Sequence, residues 1–148
     1  MAEIKNIFDI AGRSMAAQMI RLNTVASNLA NAGAVTGDKD SAYKALKPVF
    51  ETKFADELKR TGVATVDATH VKQVNREPER VYMPHHPEAD KEGYVFRAAV
   101  DENEEMVEML EASRQYQNNV EVVSTLRSLM MRTISTVSYT HLTLPTKA

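Results

Sequence analysis

Apolar residues recur every three or four positions over the first thirty residues of the chain. The series is interrupted at Gln18, where Met19 partly fills the gap. Its members are Ile4, Phe8, Ala11, Met15, Leu22, Val25 and Leu29. Such spacing places apolar side chains along one helical face, close to a heptad seam. Glycine is common just beyond a helix C-terminus, and Gly33 lies there. The pattern predicts a long amphipathic helix over residues 1–32, on the order of 40 Å in length.

Between residues 33 and 100 the apolar period shortens toward two. Phe50 and Thr52 alternate with charged neighbours, and a stretch rich in Val and Thr runs from Val63 to Val74. Two further stretches, Arg80–Met83 and Tyr94–Val100, lie beside turn residues. Alternation of this kind between turn signals is typical of short strands. The sequence therefore predicts a small β-rich insert.

A second helical pattern begins near Asp101, which forms a capping-box-like start with Glu104. Acidic residues crowd its first half, while Arg127 and Arg132 lie near its end, an arrangement that complements the helix dipole. The apolar stripe, with its widening residues, comprises Met106, Val107, Met109, Leu110, Tyr116, Val120, Val122, Val123, Leu126, Leu129, Met130 and Ile134. The pattern predicts a helix over residues 101–136, on the order of 50 Å long.

These elements predict a mainly α fold with a small β insert. We expect the long N- and C-terminal helices to pair as an antiparallel coiled coil, with the strand-rich segment between them. The insert has few large apolar side chains, so two paired helices would leave much apolar surface exposed to water, and self-assembly would bury it. A helical bundle completed by the insert is the alternative, and periodicity alone favours neither.

Composition and charge exclude several classes of function. Eighteen basic residues against 20 acidic ones give a net charge of −2, which argues against a general nucleic-acid binder. Cysteine is absent, so disulfides, thiolate metal sites and cysteine nucleophiles are excluded. No stretch approaches the roughly 20 apolar residues of a membrane span. The first residues lack a basic region followed by an apolar run, so we expect neither membrane insertion nor a cleavable signal peptide.

The sequence offers little support for catalysis or metal binding. His85 and His86 lie near Glu88 and Asp90, but Pro84 and Pro87 indicate a loop, and adjacent histidines rarely share one ion. No nucleophile elbow, phosphate-binding loop or His-Glu-x-x-His pattern is present in the sequence. We therefore expect no enzyme, no catalytic residues, no cofactor and no metal site.

The first helical segment carries more than periodicity. Residues 8–31 resemble the signature of bacterial flagellar axial proteins, which include rod and hook proteins. The most telling part is the segment Arg21-Leu-Asn-x-x-Ala-Ser-Asn-Leu-Ala-Asn31. Three more segments are similar to the proximal rod members of that family: Lys47–Glu51, Arg80–Val95 and Glu105–Val122. The resemblance covers residues 3–134.

The resemblance implies a structural subunit of the flagellar basal-body rod. Such subunits polymerise into the hollow shaft that transmits torque through the periplasm. The implied partners are other copies of the chain, other rod proteins and the flagellar type III export machinery, with no nucleic acid or small-molecule substrate. A distal rod or hook-type protein stays open as an alternative, although those usually carry a different middle segment. A cytosolic coiled-coil adaptor would explain the helices but not the Ser27–Asn31 segment.

Both helical stripes, together with Asn28, supply the predicted subunit interface. Its residues are Phe8, Met15, Leu22, Val25, Asn28, Leu29, Met106, Leu110, Tyr116, Val120, Val123, Leu126 and Met130. Three asparagines, Asn23, Asn28 and Asn31, lie off the first stripe. They would be either solvated or bonded laterally to neighbouring subunits, and the sequence does not decide between these.

The last residues depart from the pattern. From Val137 the chain is rich in Thr, breaks the stripe and reaches Pro145. It resembles the in-frame translation of a transposase-type sequencing adapter. We expect residues 137–148 to be a non-native tail, with a genuine disordered C-terminus as the alternative.

Overall fold

A computed structural model of the chain describes residues 2–53 and 65–142. Two long helices enclose a strand-rich middle segment, which confirms the predicted mainly α fold with a small β insert. The elements are α1 (Ala2–Asn31), β1 (Val35–Thr36), β2 (Leu46–Lys53), β3 (Thr65–Gln73), β4 (Glu79–Tyr82), β5 (Tyr94–Arg97) and α2 (Glu102–Leu142). Residues 63 and 64 of the predicted Val63–Val74 strand lie outside the described residues.

The helix α1 ends at Asn31, close to its predicted end at residue 32. The N–H of Ala34 donates to the carbonyl of Asn31 at 3.0 Å, closing the last turn beside Gly33. Two faces of α1 are covered, because Ala11 and Val25 are buried on one side while Thr24 is buried on another. A helix covered on two faces needs small residues at its contacts, and this is what α1 supplies.

The helix α2 begins with a side-chain cap. The Asp101 carboxylate accepts the backbone N–H groups of Asn103 at 3.0 Å and Glu104 at 3.2 Å, two donors that a helix start leaves unpaired. The expected capping box is only half formed, since the Glu104 carboxylate contacts Lys47 and Arg76 instead. Asp101 alone therefore caps the helix.

The helix α2 also continues past its predicted end at residue 136, to Leu142. Thr and Ser do not interrupt it, because their hydroxyls bond back to the preceding turn: Thr133 to the carbonyl of Leu129, and Ser135 to that of Arg132, both at 2.9 Å. The expected break at Val137 is therefore wrong as a matter of local structure. Residues 143–148 of the predicted tail lie outside the described residues.

The insert contains two small antiparallel sheets. One has the strand order β1-β5-β4, and the other is the β2-β3 hairpin, in which the register shifts at Val49/Phe50. In the first sheet Val95, on the central strand, is completely buried. The N–H of Ala98 donates to the carbonyl of Ala34 at 2.9 Å, so the chain enters and leaves the insert at adjacent points.

The core is built mainly from alanine. Its buried apolar residues are Ala11, Ala17, Val25, Ala32, Ala42, Ala45, Val95, Ala98, Ala99 and Ala112. Small side chains let the helices and the insert approach closely, but each buries little apolar area. The larger apolar side chains are thus left at the surface of both helices, which matters for what the chain can bind.

Candidate subunit interface

Polar side chains join the two long helices at three successive levels. The Asn119 amide donates to the Ser14 hydroxyl at 2.8 Å. One level on, the Gln18 amide donates to the Gln115 carbonyl oxygen, also at 2.8 Å. At the third level the Arg21 guanidinium binds Glu108. The contacts advance along α1 from residue 14 to 21 while they recede along α2 from residue 119 to 108.

Arg21 forms the strongest of these links. Its Nε and Nη2 both donate to one carboxylate oxygen of Glu108, the first at 2.8 Å. Glu111 Oε2 lies 3.5 Å from the same Nη2, and the Arg21 side chain is only 18% exposed. The Arg21 guanidinium, which is largely shielded from solvent, thus links α1 to two carboxylates of α2.

Asn28 connects α1 to the first strand of the hairpin. Asn28 is only 1% exposed. Its side-chain amide bonds to Leu46 as the backbone of a neighbouring strand would: Nδ2 donates to the carbonyl of Leu46, and Oδ1 accepts the N–H of Leu46, both at 2.8 Å. The Tyr43 hydroxyl also donates to Oδ1, at 3.1 Å. One amide therefore satisfies both backbone groups of Leu46, which the end of an edge strand would otherwise leave unpaired.

Glu104 ties the start of α2 to the insert. Lys47 Nζ donates to one carboxylate oxygen at 2.5 Å, and Arg76 donates to the other at 3.0 Å. The hydrogen bond from Lys47, followed by that from Arg76, holds the pKa of Glu104 below its usual value. The same bond raises the pKa of Lys47. This charge cluster stabilises the packing of the insert against α2 only while Glu104 is ionised.

The Glu104→Gln variant should lower the free energy of unfolding by about 0.5–1 kcal/mol at pH 7, a value reduced by the partial exposure of the site. Because the folded pKa lies below the unfolded one, this stabilisation exists above the usual glutamate pKa and is lost as the pH falls through the lowered value. Urea unfolding of both proteins at pH 7 and near pH 3 measures it. The difference between them should shrink as the pH is lowered, and a pH-independent difference would contradict the assignment. Glu77→Gln, which removes the exposed pair with Lys39, is the control and should change little.

The loop between β4 and β5 is held by Asp90. Its Oδ1 accepts the backbone N–H of Tyr94 at 2.8 Å and that of Glu92 at 2.9 Å, and the bond from Tyr94 is the main cause of its lowered pKa. Arg80 donates to Asp90 and Glu92 and lies 4.0 Å above the Tyr94 ring. Gly93 has φ +85°, a backbone conformation that favours glycine. The proline-rich segment is thus an ordered loop.

The structure divides the predicted interface residues of α1 into two groups. Four of them, spaced by seven, form a half-exposed row along α1: Phe8, Met15, Leu22 and Leu29. Val25 and Asn28 are buried within the chain itself. Asn28, which the sequence places either in solvent or against a neighbouring subunit, instead bonds to the insert. Sequence reasoning missed this role because it treated an off-stripe polar residue as a surface residue.

The predicted residues of α2 are divided in a similar way. Tyr116, Val123, Leu126 and Met130 are partly covered, whereas Met106 is 54% exposed, Leu110 68% and Val120 42%. The positions that are fully buried at the start of α2 are Glu105 and Ala112, neither of which the stripe includes. The most buried positions at the start of α2 therefore lie beside the apolar stripe, whose first residues stay exposed.

The described part of the chain contains no group of three or more His, Cys, Asp or Glu residues placed to hold a metal ion. The Nδ1 of His86 accepts the backbone N–H of Glu88 at 3.1 Å, which gives it a structural use within the loop. In residues 2–53 and 65–142, neither helix is long and apolar enough to cross a membrane.

Two family models match the ends of the chain. The model described as flagella basal body rod protein matches residues 8–37. The model described as flagellar basal body rod FlgEFG protein C-terminal matches residues 91–136. Both matches contain residues of the long helices and of the adjoining insert.

Curated relatives match this chain over nearly the whole of their own length. The flagellar basal-body rod protein FlgC of Escherichia coli O6:H1 is 44% identical over 131 residues, which cover 88% of this chain and 95% of the relative. The protein of the same name from Salmonella typhimurium matches with the same identity and coverage. That from Aquifex aeolicus is 35% identical over 133 residues, covering 90% and 96%.

Proposed function

Because the chain belongs to the FlgC family of flagellar basal-body rod proteins and is a structural subunit of that rod, we propose that it polymerises through both long helices into the hollow shaft that transmits torque across the periplasm. The proposal combines the family membership with one feature of the structure, which is the apolar surface that the helices leave exposed. The rod location follows from the family, whereas the packing mode is inferred below.

The exposed apolar side chains of the helices carry this proposal. They include Ile7, Met19 and Ile20 on α1, and Met106, Val107, Leu110, Val122, Leu129, Met131 and Ile134 on α2. At about 25 cal/mol per Å² of buried apolar area, covering them with neighbouring subunits would favour association strongly. When one face of a subunit contacts a different face of the next, and the contacts do not close into a ring, the result is an open helical polymer.

We further propose that α1 and α2 pair as an antiparallel coiled coil. The three polar contacts from Ser14, Gln18 and Arg21, which advance along one helix and recede along the other, support this arrangement. The half-exposed row with heptad spacing, from Phe8 to Leu29, then lies along the groove of the pair. A helix of a second subunit could pack there with the same knobs-into-holes geometry.

The partners that fit this surface are other copies of the chain and other rod proteins. The thirteen predicted interface residues remain the proposed contacts, except that Val25 and Asn28 would act by shaping the subunit from within. We also propose delivery by the flagellar type III export machinery. Export as an unfolded chain suits a subunit whose helices gain most of their burial on assembly.

Cell fractionation tests the proposed function. A strain lacking its own copy of the chain should regain swimming when the gene is supplied, and the protein should cofractionate with purified basal bodies. In a mutant of the export machinery it should accumulate in the cytoplasm. A cytosolic adaptor would stay cytosolic in both strains, and that result would overturn the proposal.

We propose that residues 137–148 are not native. The C-terminal family model matches up to residue 136, where the predicted native segment ends. Resequencing the source locus across its 3′ end tests this, since the adapter-derived codons should be missing from genomic DNA. Their presence there would show that the tail is genuine.

A further inference from the structure

Two of the contact levels between the long helices contain only uncharged polar side chains, and we refer to them as the amide levels. At one of them the Asn119 amide donates to the Ser14 hydroxyl, and at the other the Gln18 amide donates to Gln115, both at 2.8 Å. Leucine or valine at these positions would bury more apolar surface and would hold the helices together more strongly. The amide levels therefore call for an explanation other than stability.

Gln18 shows that this arrangement is not the most stable one available. Its amide nitrogen donates to Gln115, whose own nitrogen donates to Glu111 at 3.1 Å. The Oε1 atom of Gln18 is buried and has no hydrogen-bond partner among the residues that the structure describes. A buried acceptor without a partner costs free energy on folding, because it gives up its hydrogen bonds to water. Apolar side chains of similar size would avoid this cost.

The apolar rows of the two helices do not define how the helices are aligned. On α1 the half-exposed row recurs every seven residues, from Phe8 to Leu29. On α2 a partly covered row has the same spacing: Met109, Tyr116, Val123 and Met130. When one helix is displaced by seven residues, each apolar position is therefore replaced by another apolar position. These rows alone would accept more than one alignment.

The amide levels distinguish between these alignments. Moving α2 along α1 by seven residues in one direction places Val122, instead of Gln115, opposite Gln18. Moving it by seven residues in the other direction places Ala11 opposite Gln115. In each case an amide that is paired in the observed alignment faces an apolar side chain, and a covered amide without a partner is unfavourable. Only the observed alignment pairs Gln18 with Gln115.

We propose that the amide levels select this one alignment of α1 and α2, at a cost in the stability of the subunit. Buried polar residues fix the register of paired helices in this way elsewhere. A single alignment presents the exposed apolar residues of both helices to neighbouring subunits at constant relative positions. The inference rests on the proposed function, since a constant surface matters where several subunits must cover it.

The alignment can be measured in the isolated subunit. The chain has no cysteine, so introduced cysteine pairs and a short bismaleimide cross-linker report it without background. Ser14→Cys with Asn119→Cys reports the observed alignment, and Ser14→Cys with Leu126→Cys reports a shifted one. With both glutamines in place only the first pair should cross-link. In the leucine variant, which combines Gln18→Leu with Gln115→Leu, both pairs should cross-link.

Asn23→Leu combined with Gln117→Leu is the matched control. It also adds one leucine to each helix, but at exposed positions, so only the observed alignment should be found. The urea midpoint of the leucine variant should stay the same or rise, since the unpartnered oxygen of Gln18 is removed. Cross-linking of the leucine variant in the observed alignment alone, or a lower midpoint, would overturn the proposal.

Motility of the complemented strain tests the consequence for assembly. The swimming-halo diameter of the leucine variant should fall roughly twofold or more, because mixed alignments displace the surfaces that neighbours cover. Gln18→Lys combined with Gln115→Glu should restore the single alignment and swimming, since this ion pair also forms only in the observed alignment. Normal swimming of the leucine variant, or no restoration by the charged pair, would contradict the assignment. Absence of the unsubstituted chain from basal bodies would instead refute the proposed function, and cross-linking of the isolated subunit would still decide the alignment.

Discussion

Replacing Asn28 with alanine should destabilise the isolated subunit by about 2–4 kcal/mol. The substitution leaves the N–H and the carbonyl of Leu46 without partners, and each buried unpaired group costs roughly 1–3 kcal/mol. It also removes an acceptor of the Tyr43 hydroxyl. Domains of this size are stable by only about 5–15 kcal/mol, so the loss is a large share of the total. Urea unfolding followed by circular dichroism measures it.

Asn23→Ala is the matched control for this experiment. Asn23 lies on the same helix and is exposed, so its replacement should change stability by less than about 0.5 kcal/mol. Equal effects of the two substitutions would show that Asn28 is not the link between α1 and the hairpin. Asn28→Asp should also destabilise, since it loses the donor to the Leu46 carbonyl and places a charge in a buried site.

Aspartate at Leu22 or at Val123 should abolish swimming while expression of the protein is unchanged. Both side chains are only partly covered within the subunit, so the isolated chain tolerates them better than a closed interface would. In the assembled rod the new carboxylate would be enclosed by a neighbouring subunit without a counter-charge, at a cost of several kcal/mol for each copy. Motility assays in soft agar and electron microscopy of basal bodies measure the effect.

Asn23→Asp supplies the control with the same charge on the same helix. Because Asn23 is already polar and exposed, this variant should incorporate into rods to a much greater extent than Leu22→Asp. Western blots establish that all three proteins are present at similar levels. Normal swimming of Leu22→Asp or Val123→Asp would refute the assignment of these stripes to a subunit interface.

The long helices and the insert strands could be predicted because their patterns are local. Steps of three and four residues along α1 and α2, and alternation around Phe50 and after Tyr94, depend only on which face of an element is covered. The cap at Asp101 is equally local, since its carboxylate reaches backbone groups two and three residues away. The family signature in residues 21–31 added the function, which the patterns alone did not supply.

The parts that sequence reasoning missed depend on contacts between distant residues. Asn28 reads as a surface residue until Leu46, 18 positions later, is seen against it. Glu105 is buried beside residues of α1 and β2, whereas Met106 and Leu110 are exposed, and apolar spacing along α2 gave no sign that this charged residue would be covered. The helical turn after residue 136 was missed because propensity is a weak guide at the end of a long helix.

The hydrogen bond between Ala98 and Ala34 affects which segment of such a molecule can be replaced. The insert leaves the helical framework at Ala34 and returns at Ala98, and these two residues are held side by side. Segments whose ends are close in space can be exchanged or enlarged without moving the elements that flank them. The helices can therefore keep one assembly geometry while the outer module is replaced, so a shaft could acquire subunits with different exteriors around a constant interior.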